Sequence, residues 1–314
     1  MRLEFTKCHG SGNDFPLIDA RAVALSDAEW AAVARVLADR DGPVGGDGLL
    51  LLTAGDGDAA FGMRMFNSDG SEAETCLNGL RCVARAGFEA LEIEQARVRL
   101  KVSTAEVAHV ADILPGVYGV ETRAGPAATD PAAVGVRMAM PAVDAFIPGL
   151  PSARAFTAVA MPNPHLVTFV DTVDEAELVA LGTWCEAGPE LLVDRANVSF
   201  VEARGADLFV RTHERGVGLT DACGSAMAAS VFAAGLTGRV AFGTWTTVFN
   251  PGGRVRAMAA APGDGAVVTI QGNATFEWDG AVEVDVEAER AGEVEVVRRR
   301  GDEVAAWAMV VGGG

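Results

Sequence analysis

The sequence predicts an α+β fold made of many short strands and about four helices. Short apolar segments bounded by glycine and proline recur along the chain and are typical of strands. Helical patterns are few and do not alternate regularly with the strands, which argues against a doubly wound parallel sheet. A cysteine-containing segment also occurs once in each half of the chain, and this favours two related halves.

The first predicted elements are a strand and a capped helix. Residues 3–7 alternate apolar and polar side chains, and Ser26 with Glu29 forms a capping box for a helix that reaches about Arg40. A second helix is expected from a cap at Thr172 and Glu175 to near Gly188. Further strands are predicted at residues 62–66, 97–102, 134–140, 156–160, 165–170, 198–201, 207–212, 240–248, 254–260 and 267–270.

Composition and charge argue against several classes of function. The chain has 314 residues, of which 50% are hydrophobic, and a formal net charge of −18. This length suits two ordinary domains, and the negative charge opposes non-specific binding to nucleic acid or to an anionic membrane. Because no apolar run has the length of a signal peptide or a membrane span, we expect a cytoplasmic protein with mostly reduced cysteines. The five cysteines include no C-x-x-C pair, which argues against a zinc site or a disulfide framework.

The recurring segment contains Cys76 in one half and Cys223 in the other. Residues 69–84 and 216–230 each contain a polar turn, a cysteine, small residues and an alanine-rich helix, which is expected to end at Gly87 or Gly235. Residues 124–133 are small, contain proline and are the predicted linker between the halves. Chance similarity of two alanine-rich segments is the alternative explanation.

A cysteine in the first turn of a helix is suited to acid–base chemistry. The unsatisfied N–H groups and the positive end of the helix favour the thiolate, and they can also hold a carboxylate. One thiolate and one thiol on opposite faces of a carbon form a base–acid pair that inverts a stereocentre. The sequence therefore predicts an enzyme that inverts the α-carbon of an amino acid without an organic cofactor. We expect Cys82 and Cys185 to pack in the core, as we do Cys8, for which a place near the site is the alternative.

Seven motifs, in order along nearly the whole chain, resemble those of the diaminopimelate epimerase family. They are Lys7-Cys-His-Gly-Ser-Gly-Asn-Asp-Phe15, Gly46-Asp-Gly48, Phe66-Asn-Ser-Asp-Gly-Ser-Glu-Ala-Glu74 leading into Cys76-Leu-Asn-Gly, Asn163-Pro-His165, Ala196-Asn-Val198, Glu214-Arg-Gly-Val-Gly218 with Ala222-Cys-Gly-Ser225, and Asn250-Pro-Gly-Gly253. The resemblance implies two pseudo-symmetric lobes, each a β-structure wrapped around a central helix, with the active site in the cleft between them. The implied boundaries are residues 1–128, residues 129–272, and residues 273–314 for a strand that returns to the N-terminal lobe plus an extension.

The resemblance also implies roles for individual residues, with no cofactor and no metal. The catalytic pair is Cys76 and Cys223, assisted by His165 and Glu214; the reacting end of the substrate meets Asn13, Leu77, Asn78, Gly224 and Ser225, and the distal end meets Asn67, Asn163, Asn197 and Arg215. A guanidinium binds a carboxylate bidentately, so Arg215 is the main indication of a dicarboxylic substrate. The implied partner is a small dicarboxylic diamino acid, with no nucleic acid and no membrane, and a homodimer is a further possibility.

Leu77 departs from the family pattern, which usually has glycine after the first cysteine. It keeps its backbone N–H, but its side chain needs room and the backbone angles reserved for glycine are lost. Either the backbone there is ordinary, or the pocket is altered, as in a racemase of another amino acid; a non-catalytic amino-acid-binding relative is the third alternative. Pro162 before Asn163 is a milder departure. The charged tail after about Asp285 runs past the usual end of the family, and we expect a solvated extension, with an oligomer contact as the alternative.

Overall fold

The computed structural model describes residues 1–161 and 163–312, so Pro162 lies outside the described residues. The helices in these ranges are α1 (Asp27–Leu37), α2 (Leu77–Leu91), α3 (Pro131–Val134), α4 (Glu175–Glu186), α5 (Gly224–Leu236) and α6 (Gly301–Gly312). The strands are β1 (Arg2–Gly10), β2 (Asn13–Asp19), β3 (Gly48–Ala54), β4 (Phe61–Asn67), β5 (Glu72–Ala73), β6 (Gln95–Arg99), β7 (Thr104–Val110), β8 (Gly119–Ala124), β9 (Thr157–Ala160), β10 (Pro164–Val170), β11 (Asn197–Arg204), β12 (Asp207–Glu214), β13 (Gly218–Thr220), β14 (Thr246–Asn250), β15 (Gly253–Ala259), β16 (Val268–Asn273), β17 (Thr275–Asp285) and β18 (Arg290–Arg299). The predicted α+β class is confirmed.

The chain divides into two compact units. One consists of Met1–Thr122 and Gln271–Gly314, and the other of Arg123–Ile270. Each unit has a central helix that is buried along most of its length, α2 in the first and α5 in the second. Helix α2 packs against β1, β2, β3, β4, β6 and β7, and α5 packs against β9, β10, β11, β12, β14 and β15. Each central helix is therefore enclosed by strands of its own unit, as the resemblance implied.

In the first unit, β1 lies between β2 and β17 and pairs antiparallel with both. Strand β2 pairs in parallel with β3, and β3 pairs antiparallel with β4. The side of this sheet away from α2 buries a cluster that includes Phe5, Trp30, Leu37 and Leu49, through which α1 is held. Apolar burial of this kind stabilises a fold by about 25 cal/mol per Å² of area removed from water.

In the second unit, β10 pairs antiparallel with β9 and in parallel with β11. Strand β11 pairs antiparallel with β12, which also pairs with β13 and β14. Helix α4 covers this sheet with Leu178, Leu181 and Cys185, which join Phe156 and Phe200 in a buried cluster. Cys185 is therefore a core residue, as predicted, and so is fully buried Cys82.

Local signals predicted some helix ends correctly and others wrongly. The capping box of α1 is confirmed, because Ser26 Oγ accepts the N–H of Glu29 and the Glu29 carboxylate accepts the N–H of Ser26. Helix α4 begins after Asp174, whose carboxylate accepts the N–H of Glu177, and not after Thr172.

The helix end expected at Gly87 is wrong, because α2 continues to Leu91, whereas the end expected at Gly235 agrees to within one residue with the observed end of α5 at Leu236. Both glycines allow an aromatic ring from outside the helix to pack closely against it. A Cβ at Gly87 would lie 2.6 Å from the Phe61 ring, and one at Gly235 would lie 2.5 Å from the Phe242 ring.

The strand predicted at residues 134–140 is also wrong. A short helix, α3, occupies Pro131–Val134 and ends at Gly135, which has a left-handed φ of 76°. Asp130 accepts the N–H groups of Ala132 and Ala133, and proline occupies the first helical position, so the start signal is local and strong. The apolar residues that follow had suggested a strand by their spacing alone.

The tail after Asp285 is a folded element and not a solvated extension. Strand β18 forms an antiparallel hairpin with β17, and α6 buries Trp307 and Val310 against Val117. No helix in the described part of the chain is long and apolar enough to cross a membrane.

Candidate active site

Cys76 is the N-cap residue of α2. Its backbone is extended, with φ of −145° and ψ of 104°, and its sulfur accepts the N–H of Gly79 at 3.4 Å. The predicted place of this cysteine, at the start of a helix, is confirmed. An N–H group aimed at the sulfur at the positive end of a helix favours the thiolate form.

The first turn of α2 is held against two strands through glycine contacts. A Cβ at Gly79 would lie 2.6 Å from Leu50 Cδ2, and a Cβ at Gly10 would lie 2.6 Å from the carbonyl oxygen of Asn78. These contacts need residues without a side chain. Leu77 is the first residue of α2 with an ordinary helical backbone, and it is 9% exposed. The backbone of Leu77 is therefore ordinary, and the racemase alternative rests on its side chain alone.

Asn13 and Asn78 lie beside Cys76, and we call these three residues the Cys76 cluster. The side-chain oxygen of Asn13 lies 3.7 Å from the sulfur of Cys76, and Asn78 Nδ2 donates to the same oxygen at 3.4 Å. The amide nitrogen of Asn13 donates in turn to the Asp47 carboxylate. Asn67 is placed differently, because its amide donates to Ser71 Oγ at 2.9 Å inside the turn that follows β4.

Cys223 occupies the equivalent place in the second unit, as the N-cap residue of α5. Its backbone is extended, with φ of −126° and ψ of 113°, and Gly224 is the first, buried residue of the helix. The sulfur of Cys223 lies 3.5 Å from Ser225 Oγ. The predicted site residues Cys223, Gly224 and Ser225 therefore all lie in this first turn of α5.

The pKa of the Cys223 thiol is raised well above its usual value, which corrects the expectation that the helix start lowers it. Burial is the largest cause, and the nearby carboxylate of Glu214 adds to it; Ser225 and the N–H of Ala226 act weakly in the other direction. Desolvation disfavours the charged form of any acid, and here it is the largest effect on the thiol. Cys223 is therefore a neutral thiol at neutral pH.

Glu214 ends β12 and is held by the short strand β13. Thr220 Oγ1 donates to Glu214 Oε1 at 2.6 Å, and the pairing of Glu214 with Gly218 in the hairpin places the two side chains together. Sequence reasoning did not single out Thr220 as a site residue. The available signal was its position between Glu214 and Cys223 in a segment rich in glycine.

His165 lies on β10, fully buried. Its Nε2 is 3.0 Å from Asn163 Oδ1, and burial, with a smaller effect of Arg215, lowers the pKa of the imidazole to about 3. The ring is therefore neutral at neutral pH. His165 pairs with Asn197 in the parallel register of β10 and β11, so this register brings His165, Asn163 and Asn197 to one end of the sheet.

Arg215 lies next to Asn197 but also forms an ion pair. Asn197 Oδ1 accepts the backbone N–H of Arg215 at 2.9 Å, and Arg215 Nη1 donates to Asp194 Oδ2 at 2.7 Å. Asp194 was not expected near the site, because a single aspartate in a loop has no distinguishing pattern.

Arg81 is a third residue, after Thr220 and Asp194, that the sequence did not indicate. Its side chain is fully buried, and Nη2 donates to Asn78 Oδ1 at 3.0 Å and to Ser11 Oγ at 3.1 Å. An arginine in an otherwise alanine-rich helix suggests a solvated face, and only the tertiary structure shows that this one faces inward.

Comparison with known proteins gives one consistent result. The model of the family described as diaminopimelate epimerase matches residues 5–112 and 157–277. The chain is 38% identical to the diaminopimelate epimerase of Listeria innocua over an alignment of 293 residues. This alignment covers 89% of this chain and 88% of that protein.

Two solved structures share the fold at low sequence identity. A PhzF-family phenazine biosynthesis protein of Bacillus anthracis has a TM-score of 0.66 at 14% identity, covering 90% of this chain and all of that one. A hydroxyproline epimerase of Agrobacterium vitis has a TM-score of 0.63 at 15% identity, covering 91% and 92% of the two chains.

Proposed function

The chain belongs to the diaminopimelate epimerase family, and from this premise we propose that it is an isomerase that converts LL-diaminopimelate to meso-diaminopimelate. The observation that carries the proposal is that each unit has a cysteine at the N-cap of its central helix. Two acid–base groups of the same kind are what inversion of a single stereocentre needs, since one removes a proton and the other supplies one.

The proposed reaction is a proton exchange at one carbon. The thiolate of one cysteine removes the α-proton, which breaks a C–H bond, and the thiol of the other donates its proton to the opposite face, which forms a new one. The negative charge thus moves from the first sulfur to the second, and no redox step or cofactor is needed. N–H groups at the two helix starts suit the substrate carboxylate, on which charge develops as the proton leaves.

We assign the acid role in the resting protein to Cys223 and the base role to Cys76. Support comes from the raised pKa of Cys223, which keeps its proton in place until the α-carbon needs it. Both forms of Cys76 have a partner, because the N–H of Gly79 serves the thiolate and Asn13 Oδ1 accepts from the thiol. Glu214, held by Thr220, and His165, held neutral, are proposed as assisting residues.

We further propose that the substrate is a small dicarboxylic diamino acid, whose distal end meets Asn67, Asn163, Asn197 and Arg215. The guanidinium of Arg215 is the group suited to the second carboxylate, and its backbone is fixed by Asn197. A cytoplasmic location fits the need of this chemistry for reduced thiols.

The test is α-hydrogen exchange in heavy water, followed by proton NMR. LL-diaminopimelate should lose its α-proton signal and yield the meso isomer. Cys76→Ala and Cys223→Ala should each abolish formation of the meso isomer. Cys185→Ala is the matched control, because Cys185 is a buried core thiol of α4, and it should remain active. An active Cys76→Ala or Cys223→Ala variant would exclude the two-thiol mechanism.

The second candidate function is racemisation of another amino acid. It is favoured by Leu77, which places an isobutyl side chain directly after Cys76, where the family usually has glycine. Turnover of a monocarboxylic amino acid, with no exchange of diaminopimelate, would favour this candidate.

A further inference from the structure

The C-terminal segment, residues 286–312, extends past the part of the chain that matches the family, which ends at residue 277. It comprises β18 and α6, and both pack on the first unit. Nothing in the proposed reaction requires this segment. Its contacts, however, lead to the Cys76 cluster.

Glu303 anchors the start of α6. Its carboxylate accepts from Arg85 Nη2 at 3.0 Å and from the backbone N–H of Phe276 at 3.2 Å. The guanidinium of Arg85 also lies 4.0 Å from the centre of the Phe276 ring and is itself almost completely buried. A bidentate pair with one partner shielded from water is stronger than an ordinary surface ion pair. Helix α6 is therefore firmly placed.

Trp307, one turn further along α6, covers His9. The two ring centres are 5.2 Å apart, and both side chains are buried. Burial lowers the pKa of His9 to about 4, so its ring is neutral and Nδ1 is a hydrogen-bond acceptor. Nδ1 receives the backbone N–H of Gly12 at 3.3 Å and Nδ2 of Asn273 at 3.2 Å. Trp307 thus packs against the ring of His9, whose Nδ1 accepts the N–H of Gly12 in the turn after β1.

The turn after β1 has an unfavourable backbone that needs such support. Ser11 has a φ of 56° and Gly12 a φ of 83°, and the left-handed region costs about 1 kcal/mol or more for a residue other than glycine. Asn273 Oδ1 accepts the N–H of Ser11 at 2.7 Å. The next residue is Asn13, whose oxygen faces the sulfur of Cys76. A small change in this turn therefore moves the partner of the thiol.

Arg81 connects the same support to the other asparagine of the cluster. Its Nε donates to the carbonyl oxygen of Asn273 at 3.0 Å, and its Nη2 donates to Asn78 Oδ1. A guanidinium can only donate, so Asn78 must present its oxygen to Arg81 and its amide nitrogen to Asn13. Asn273 therefore supports both asparagines of the Cys76 cluster, and Trp307 covers His9, the partner of Asn273.

We propose that the C-terminal segment is a positioning element for the Cys76 cluster, acting through the contact of Trp307 with His9. Helix α6 holds His9, His9 and Asn273 hold the turn at Ser11 and Gly12, and this turn sets the side chain of Asn13 against Cys76. The positioning itself does not depend on which reaction is catalysed. Only its effect on turnover rests on the proposed function.

The experiment compares Trp307→Ala with Met309→Ala in the full chain. Met309 lies on the same helix but is 77% exposed, so its variant controls for changes to α6 itself. Amide hydrogen exchange is measured by mass spectrometry for peptides that cover residues 9–14 and, as a reference, residues of β11. Trp307→Ala should raise the exchange rate at residues 9–14 at least about tenfold and leave that of β11 unchanged. The reason is that the turn opens more often once the indole no longer packs against His9.

Turnover of diaminopimelate is measured at a temperature at which both variants are folded. Trp307→Ala should lower kcat by about 10- to 100-fold, the range expected when a reacting group is displaced by a fraction of an ångström to 1 Å, and Trp307→Phe should restore most of it. Unchanged exchange at residues 9–14, or raised exchange with an unchanged kcat, would overturn the proposal. If the unsubstituted protein does not turn over diaminopimelate, the exchange result still decides whether Trp307 holds the turn, and the proposed function fails separately.

Discussion

The side-chain oxygen of Asn13 lies 3.7 Å from the sulfur of Cys76, although the two residues are 63 positions apart. The orientation of this amide is determined by its other end, where Nδ2 donates to the Asp47 carboxylate. A carboxylate only accepts, and the guanidinium of Arg81 at the far side of Asn78 only donates. The hydrogen bonds from Arg81 through Asn78 and Asn13 to Asp47 therefore run in one direction, and they turn an oxygen atom toward Cys76.

Asp47→Asn should weaken this arrangement without removing the hydrogen bond. The new amide can donate as well as accept, so Asn13 can rotate and present nitrogen to the sulfur. The thiol that forms when Cys76 takes the α-proton then loses its acceptor, Asn13 Oδ1. We expect kcat/KM to fall by about 2- to 12-fold, since one net hydrogen bond is worth about 0.5 to 1.5 kcal/mol. Steady-state kinetics against Asn13→Ala, which should lose more, provides the comparison. Wild-type kinetics for Asp47→Asn would show that amide orientation does not matter.

Thr220→Val should impair the acid side of the reaction. It removes the hydroxyl that donates to Glu214 Oε1 at 2.6 Å but keeps the size of the side chain. Glu214, which adds to the raised pKa of Cys223, then loses one of its supports. We expect kcat to fall about tenfold, as for loss of a charge-assisted hydrogen bond, with recovery in Thr220→Ser. Equal activity of the valine and serine variants would contradict a role for the hydroxyl.

Asp194→Ala should improve binding of a dicarboxylic substrate. Asp194 is bound to Arg215 at 2.7 Å, so the distal carboxylate of the substrate must compete with it. Exposed ion pairs are worth at most about 1 kcal/mol, so KM should fall by up to about fivefold. Asp171→Ala, an exposed carboxylate of the same unit, controls for the change in net charge. A higher KM in Asp194→Ala would indicate that Asp194 positions Arg215 and does not compete with the substrate.

Cys185→Ala should reduce the decrease in the free energy of unfolding that occurs as the pH rises above 9. Burial raises the pKa of Cys185 from 9.0 to about 12, so between these values the thiol ionises in the unfolded chain but not in the folded one. The stabilisation that the neutral buried thiol contributes is complete below pH 9 and is lost as the pH rises toward 12, by about 1.4 kcal/mol per pH unit. The free energy of unfolding of the original protein and of Cys185→Ala is measured in urea at pH 8, 9 and 10. The difference between the two values should become smaller above pH 9. A constant gap would contradict the assignment.

Features that depend on neighbouring residues were predictable from the sequence. The capping box at Ser26 and Glu29 and the helix starts after Cys76 and Cys223 are set by side chains within about one turn, so the pattern of residues is sufficient. The same reasoning failed at Gly87, where the reason for glycine is the ring of Phe61, which belongs to another part of the chain.

The sequence by itself determined the α+β class, the two cysteines at helix starts and, through the order of the motifs, the family. Only the tertiary structure decided the state of the groups at the site. Burial and Glu214 set the pKa of Cys223, and no local pattern encodes how much water a side chain loses. The contact of Trp307 with His9 joins residues from the two ends of the chain, so the tail could not be understood before the fold placed them together. The physical reason is the same in both cases, because desolvation and packing depend on distance in space, whereas a sequence pattern records only distance along the chain.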